Sequence, residues 1–255
     1  MRALQAGRRE RIRSCLAGQR ISCGSGASVK IVSFSGIDGA GKSTQISQLT
    51  AWLAESKLNV KLLTFWDDVV AFTRFREFMS YKAFKGDRGV GSPEKPLQRR
   101  DKNVSSASLT GIRFFLYLAD AIQLCWSVRR AKNSNADVVI FDRYIYDELA
   151  NLSLNHWSTK VFSRFILKFT PKPDVAFVID ADPLAAYQRK PEYPLEFVRR
   201  NREAYLSLAQ FSGELTVISP APVETMQAAI RQKMLQIFAR RNLIESIKIP
   251  ASPGV

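Results

Sequence analysis

A glycine-rich segment near the start of the chain combines the residue types that bind the phosphates of a nucleotide. Glycines let the backbone wrap around phosphate oxygens with its amide hydrogens pointing inward, and a helix beginning there adds the positive end of its dipole. Lys42 would neutralise charge on the β and γ phosphates, and the Ser43 hydroxyl would bind magnesium. The spacing predicts a P-loop for ATP and Mg²⁺, which reads Gly36-Ile37-Asp38-Gly39-Ala40-Gly41-Lys42-Ser43-Thr44.

An acid and an arginine at the end of a later apolar run suit the same chemistry. Asp142 follows the run at residues 138–141, where it would hold a magnesium-bound water or accept a proton from the attacking group. A helix cap is the alternative for this residue. Arg143 keeps its charge and presents a planar fork to phosphate oxygens. Together with Lys42, this pair predicts phosphoryl transfer.

Hydrophobic periodicity indicates the strands and helices that must position these residues. Helical patterns separate the β-prone runs, and the first of them places Ile46, Leu49 and Leu53 on one face. Strands that alternate with helices predict an α/β fold with a parallel sheet covered on both faces and ligands at the carboxyl ends of the strands. The predicted strands lie at residues 29–34, 60–65, 138–142, 175–180 and 215–218, and the predicted helices include residues 71–83, 109–131, 159–169 and 195–211.

The domain organisation follows from length and composition. A chain of 255 residues with 46% hydrophobic residues predicts one domain, at about residues 29–242. Residues 1–28 carry six arginines against one acid, which predicts a basic, disordered extension, and residues 243–255 are predicted to be a tail. Residues 85–106 are polar and rich in glycine, proline and basic residues, so we expect a mobile loop there.

Charge and rare residues exclude several protein classes. The formal net charge of +15 favours a polyanionic partner. Cys15, Cys23 and Cys125 lack CxxC spacing and leave one thiol unpaired, which is typical of a reducing compartment. His156 is the single histidine, which argues against zinc sites built on histidines, and an ordinary helix-end or surface position is expected. The sequence predicts no membrane span and a cytoplasmic location, with mitochondrial targeting by residues 1–28 as the alternative.

Two motifs together resemble those of the thymidylate kinase family. They are the segment from Phe34 to Gln45 and the later Phe141-Asp142-Arg143-Tyr144, and weaker similarity extends from about Val29 to Arg240. The resemblance implies the three-layer P-loop NTPase fold, with a five-stranded parallel sheet flanked by helices. It also implies a step of nucleotide biosynthesis, in which the γ-phosphoryl group of ATP passes to dTMP or a related acceptor. A homodimer is a further implication of the family.

The same resemblance implies roles for individual residues. Asp38 would approach the acceptor's sugar hydroxyl and phosphate region, and Arg143 would bind the acceptor phosphate. Family members with glycine after that aspartate, as Gly39 is here, supply a catalytic cation from a lid, which would lie at about residues 186–196. Arg189, or Lys190 beside it, is placed to be that cation; an ordinary solvated turn is the alternative. A cation aimed at the transferring group stabilises the charge of the transition state.

Departures from the family motifs concern the acceptor. Tyr117 matches the aromatic residue that stacks on thymine, although an ordinary core position would also explain it. The next family landmark is a base-binding arginine, and here that position is Ala121. Residues 65–69 replace an Arg-Glu-Pro-Gly type sequence, and Arg74 or Arg76 could supply the missing cation. Loss of a polar contact in a base pocket changes discrimination strongly, so we expect weak or altered preference for dTMP.

Three functions remain open at this stage. The favoured one is an enzyme, a nucleoside monophosphate kinase with ATP, Mg²⁺ and small nucleotides as its ligands. A P-loop kinase for another small acceptor, such as a deoxynucleoside or sugar derivative, is the second. The third is a nucleotide-binding or nucleic-acid-associated module without turnover, using basic segments to grip a polyanion. It is disfavoured, as is any nucleic-acid partner, because Asp38, Asp142 and Arg143 are all present.

Overall fold

The computed structural model of the chain describes residues 28–70 and 107–239. Within these ranges, five strands form one parallel sheet in the order β2-β3-β1-β4-β5. The strands are β1 Lys30–Ser35, β2 Val60–Thr64, β3 Val138–Asp142, β4 Val175–Ile179 and β5 Leu215–Ile218. The helices are α1 Lys42–Glu55, α2 Ala107–Lys132, α3 Ile145–Leu149, α4 Trp157–Phe169, α5 Pro183–Arg189, α6 Leu195–Ser212 and α7 Val223–Ala239, and a π-helical turn occupies Phe65–Val69.

The centre of the sheet is buried on both faces. Every residue of β1 and β4 is buried, as expected for central strands of a parallel sheet that helices cover on both sides. Phe34 of β1 and Phe177 of β4 pack with ring centroids 5.2 Å apart. Phe34 also lies opposite Asp142 in the register of β1 and β3. The segment that leaves β1 and the residue that ends β3 therefore emerge at the same edge of the sheet.

The helices α1 and α7 each bury one apolar face in the core. Ile46, Leu49 and Leu53 of α1 are all buried, as their spacing predicts. In α7, the apolar residues at helical spacing are Met226, Ile230, Met234 and Ile237. Met226, Ile230, Met234 and also Phe238 are buried. Ile237 is only partly buried and packs against the core.

The predicted fold class is confirmed. Observed and predicted boundaries of the five strands differ by at most one residue, because apolar β-prone runs between turn residues define strands well. His156 is exposed and precedes α4 as its N-cap, in agreement with the expectation of a helix-end position. No helix in the described ranges is long and apolar enough to cross a membrane.

Several predictions fall outside the described residues. They concern the basic extension before residue 28, the helix at residues 71–83, the mobile loop at 85–106 and the tail at 243–255. Arg74 and Arg76 belong to the same undescribed segment. The division of the chain into extension, kinase domain, lid and tail stays a prediction.

Candidate active site

The segment between β1 and α1 is a loop whose backbone conformation requires glycine at three positions. Gly36, Gly39 and Gly41 have φ angles of 136°, 82° and 90°, a region that residues with a Cβ rarely adopt. A Cβ on Gly36 would lie 2.4 Å from the carbonyl oxygen of Ile179, and one on Gly39 would lie 2.3 Å from that of Ala186. The close packing and the left-handed turns form a backbone cradle at the amino end of α1, which fits a bound polyphosphate.

Lys42 points back into this cradle. Its Nζ donates hydrogen bonds to the carbonyl oxygens of Gly36 and Ile37 at 2.9 and 2.8 Å. Burial of the amine, followed by the charge of Arg143, lowers the pKa of Lys42 from 10.5 to about 7. Ser43, the next residue, is exposed at the start of α1, and so is Thr44. The amine is thus held against the loop that the sequence predicts to bind phosphates.

Three cationic side chains from different parts of the chain lie close to Asp38. Its Oδ1 lies 2.5 Å from Nη2 of Arg143, which follows β3. The same oxygen is 4.0 Å from Nζ of Lys42 in α1 and 4.0 Å from Nζ of Lys190 after α5. The structure therefore brings together predicted residues of the P-loop, the Asp-Arg-Tyr motif and the lid.

Arg143 is held by its backbone and by two carboxylates. Its φ of 73° is unusual for a residue other than glycine, and its amide donates to the carbonyl oxygen of Phe34 at 2.8 Å. Nη1 donates to Oδ1 of Asp147 at 2.7 Å, while Nη2 faces Asp38. Burial opposes the charge, but Asp147, Tyr205 and Asp38 raise the pKa of Arg143 well above its ordinary value. The guanidinium is therefore a permanent, oriented cation.

Asp147 is a site residue that the sequence analysis missed. The residue is only 2% exposed. Besides Arg143, it accepts hydrogen bonds from Ser35 Oγ at 2.6 Å, Tyr205 Oη at 2.7 Å and the Tyr144 amide at 3.2 Å. The one sequence signal was its place four residues after Arg143, a spacing typical of an ion pair on a helix. Ser35 and Tyr205 both lie in segments that resemble the family, but nothing in the pattern indicated that they contact Asp147.

Asp142 and its neighbour Tyr144 have different surroundings. Burial raises the pKa of Asp142 above its ordinary value, and the charges of Arg143 and Lys42 oppose that shift. The N-cap of α3 is Tyr144, so the alternative reading of Asp142 as a helix cap is wrong. Tyr144 is fully buried and donates its hydroxyl to the carbonyl oxygen of Pro171 at 2.6 Å.

The oxygen donors predicted for magnesium are compatible with that ion. Ser43 offers a hydroxyl and Asp142 a carboxylate, and Mg²⁺ prefers hard oxygen ligands. Such ions are usually bound by one or two protein groups together with substrate phosphates. Within the described ranges no larger cluster of acids, histidines and cysteines competes for the ion. The two residues fit a magnesium ion shared with a nucleotide.

Both candidate lid cations lie beside the P-loop. Nη1 of Arg189 is 3.9 Å from the position that a Cβ on Gly41 would take. Lys190 has its Nζ 3.3 Å from Oε2 of Glu192 and 4.0 Å from Oδ1 of Asp38. Both side chains are exposed, so each can turn toward an incoming anion.

The two positions of α2 that the resemblance relates to the acceptor face the interior. Tyr117 is 6% exposed, and Ala121, one helical turn later, is fully buried. The segment that replaces the expected basic sequence forms the π-helical turn, in which Asp68 Oδ2 accepts a hydrogen bond from the Thr64 amide at 2.7 Å. Trp66 in this turn is 40% exposed. The turn presents acids and an aromatic ring where the family motif has a cation.

The chain is similar to several known thymidylate kinases. The chain is 27% identical over 209 residues to a probable thymidylate kinase of Methanosphaera stadtmanae, covering 79% of this chain and 95% of that protein. It is 27% identical over 218 residues to a thymidylate kinase of Maridesulfovibrio salexigens, covering 73% and 85%. A solved thymidylate kinase from Ehrlichia chaffeensis shares the fold, with a TM-score of 0.50, 19% identity and coverage of 81% and 99%.

The family itself is settled by a match to a family model. The model named Thymidylate kinase matches residues 96–230, just over half of the chain. The predicted resemblance is thereby confirmed, and this chain belongs to the thymidylate kinase family.

Proposed function

We propose that the protein is an ATP-dependent nucleoside monophosphate kinase of the thymidylate kinase type, which transfers the γ-phosphoryl group to dTMP or a related acceptor. The observation that carries the proposal is the convergence on Asp38 Oδ1 of Arg143 at 2.5 Å and of Lys42 and Lys190 at 4.0 Å. A phosphoryl group in transfer spreads charge over its oxygens, and catalysis depends on cations preorganised around it.

On the donor side, the backbone of the P-loop would orient the triphosphate. Lys42 would place its ammonium against the β and γ phosphates, where neutralisation of the growing charge lowers the barrier. Ser43 and Asp142 would hold Mg²⁺, which supplies shielding of phosphate charge when it is bound. The buried position of Lys42 strengthens these contacts because water screens them poorly there.

On the acceptor side, Arg143 would bind the acceptor phosphate and Asp38 the region of the sugar hydroxyl. Arg189 or Lys190 would close over the γ-phosphoryl group from the lid. Both exposed cations already flank the P-loop, which supports a lid role over an unrelated solvated turn.

A second candidate, supported by the base-side residues, is a P-loop kinase for a deoxynucleoside or sugar derivative. Ala121 is fully buried and has no polar side-chain atom to read a base. The π-helical turn at Phe65–Val69 contains two acids and no cation. Both features support weak or altered preference for dTMP. A non-catalytic nucleotide-binding module is the remaining alternative.

A coupled ADP-release assay over nucleoside monophosphates, nucleosides and sugar phosphates tests the proposal. Turnover with a nucleoside monophosphate supports it, and Lys42→Ala should lose most of that turnover. Turnover restricted to nucleosides or sugars favours the second candidate. Efficient, exclusive use of dTMP would contradict the expected change in acceptor preference. Absence of turnover with every acceptor would contradict the proposed kinase activity.

We also propose that two copies pair through an aromatic face formed by α2 and α4. The helices pack side by side, with the rings of Phe114 and Phe162 stacked at 4.0 Å. Large apolar side chains that are 44–77% exposed occur on both helices, and exposed apolar patches mark interaction sites. The face comprises Phe115, Ile122 and Trp126 of α2 and Trp157, Val161, Phe165 and Phe169 of α4. Because a two-fold axis pairs the same patch on both copies, one such face suffices for a homodimer.

The compartment proposed for this activity is the cytoplasm. Cys125 is a free thiol in the described part of the chain, and free thiols persist in reducing compartments. Mitochondrial targeting by the Arg-rich residues 1–28 is the alternative.

A further inference from the structure

The carboxylate of Asp147 is saturated with hydrogen bonds at a point where three segments of the chain meet. Oδ1 accepts from Nη1 of Arg143 and from Oη of Tyr205, each at 2.7 Å. Oδ2 accepts from Oγ of Ser35 at 2.6 Å and from the amide of Tyr144 at 3.2 Å. Its side chain is 1% exposed. Four donors on two oxygens fix both the position and the rotation of this carboxylate.

The donors differ in what they require from Asp147. The hydroxyls of Ser35 and Tyr205 and the backbone amide of Tyr144 are neutral. An asparagine could direct its oxygen to Ser35 and the Tyr144 amide and its NH2 group to the hydroxyl oxygen of Tyr205, but that NH2 group cannot accept from Arg143. Only Arg143 carries a full charge that burial makes costly without a charged partner. Arg143 is therefore the donor that requires the negative charge of Asp147, whereas the other three donors depend on its shape.

The two carboxylates around Arg143 are not equivalent. Asp147, with a 1% exposed side chain, takes Nη1, while Asp38, with a 27% exposed side chain, takes Nη2. An acceptor phosphate that arrives from solvent can take over the Nη2 side from Asp38. The Nη1 side is held by the buried carboxylate of Asp147, so it stays in place during that exchange.

Resting on the function proposed above, we infer that Asp147 is the positioning residue for Arg143. It holds the guanidinium by one nitrogen so that the other faces the P-loop, where the acceptor phosphate binds. Asp147 itself touches neither substrate. Loss of its charge lets the Arg143 guanidinium rotate, and rotation removes the oriented fork from the acceptor.

Kinetics of Asp147→Asn in the full chain test this role, because the amide keeps the shape and removes the charge. We expect kcat/KM for the acceptor to fall by about a hundredfold, as misplacement of a binding group does, with the KM for ATP unchanged within about twofold. Tyr205→Phe is the matched variant, since it removes a neutral donor from the same oxygen; its acceptor KM should stay within about threefold of wild type. The inference would be overturned if Asp147→Asn impaired the use of ATP as strongly as the use of the acceptor. It would also be overturned if Tyr205→Phe impaired the use of the acceptor as strongly as Asp147→Asn does.

A double-mutant cycle asks whether Asp147 acts through Arg143. In an Arg143→Ala background, Asp147→Asn should cause no further loss of acceptor kcat/KM. If the losses of the two single variants multiplied in the double variant, Asp147 would act by another route and the positioning role would be refuted. Arg143→Lys, which keeps the charge without the fork, should reproduce the Asp147→Asn acceptor defect, and a wild-type acceptor KM in that variant would also refute it.

A spectroscopic readout separates this inference from the kinase proposal. Nitrogen-15 NMR of the arginine side chains reports rotation of the Arg143 guanidinium in the protein alone, with Arg143→Lys identifying the signal. We expect slow rotation in wild type and fast rotation in Asp147→Asn, whether or not any acceptor is phosphorylated. An equally restrained guanidinium in both proteins would overturn the positioning role even if the kinase activity is found.

Discussion

Gly39 lies so close to Ala186 that a Cβ on it would sit 2.3 Å from the Ala186 carbonyl oxygen. The P-loop therefore packs directly against the backbone of α5, the helix that ends at Arg189. Gly39→Ala must move the loop and the helix apart, in addition to straining a φ of 82°. We therefore expect ATP affinity to fall at least about tenfold, which calorimetry measures.

Gly213→Ala is the control for that substitution. Gly213 has a φ of 65°, so the backbone strain is similar, but a Cβ there would meet nothing within 4 Å. We expect a loss of about 1 kcal/mol in the free energy of unfolding with wild-type ATP affinity. Equal affinities in the two alanine variants would show that the contact with Ala186 is unimportant.

Lys42→Ala should remove most of the turnover. Its Nζ sits against the P-loop carbonyls, where its charge would stabilise the transferring group, and loss of one such contact costs about a hundred- to a thousandfold in kcat. Steady-state ADP release measures the effect. Lys172→Ala removes an amine that is 61% exposed and paired with Glu214, and it should leave kcat unchanged. Wild-type turnover in Lys42→Ala would refute the P-loop mechanism.

Binding of ATP should take up a proton through Lys42. Burial lowers the pKa of the free amine to about 7, so at pH 8 it is mostly neutral, whereas bound phosphates favour the charged form and raise that pKa again. We expect an uptake of about 0.9 proton at pH 8, falling toward lower pH where the free amine is already charged. Calorimetry in buffers of different ionisation enthalpy measures it. Lys42→Arg is permanently charged, and an uptake equal to wild type in that variant would contradict the assignment.

Asp142→Asn should weaken the use of magnesium. The carboxylate is one of two oxygen donors that fit the ion, and its removal should raise the Mg²⁺ concentration for half-maximal rate about tenfold, as loss of orienting oxygens does at other metal sites. A magnesium titration of ADP release gives the value. Asp137→Asn alters a carboxylate that accepts the Asn59 amide at the opposite end of β3, and its titration should match wild type. A shift in both variants would exclude a specific metal role.

The aromatic face makes a prediction about oligomeric state. Phe165→Glu places a charge on a side chain that is 51% exposed in that face and should convert a dimer into monomers. Light scattering after gel filtration measures the mass. Leu184→Glu changes an apolar residue of similar exposure, 50%, in α5 and should leave the dimer intact. A monomeric wild type would refute pairing through this face.

Most of the fold could be predicted because its signals are local. The five strands are short apolar runs between turn residues, and the P-loop glycines needed no knowledge of their partners. Asp147 was missed because its partners are distant along the chain: Tyr205 is 58 positions away and Ser35 is 112. The approach of Gly39 to Ala186 is likewise a tertiary contact without a sequence pattern. Local propensity defines the elements, whereas the site depends on where they meet.

Base recognition was the least predictable part for a related reason. The altered residue Ala121 is visible in the sequence, but its complete burial and the π-helical turn at Phe65–Val69 are properties of packing. A motif departure shows which contact is lost. It does not show what replaces that contact, since the replacement can come from any segment that the fold brings near.

The three residues of the Asp-Arg-Tyr motif differ in burial and in partners, and mutations in them should have different phenotypes. Asp142 borders the P-loop, Arg143 bridges two carboxylates, and Tyr144 is sealed in the core with its hydroxyl on Pro171. Loss of a buried aromatic lowers the amount of folded protein that a cell retains. Under the proposed function, three adjacent codons should therefore give three different defects when mutated: loss of turnover at Asp142, weaker acceptor binding at Arg143 and less folded protein at Tyr144.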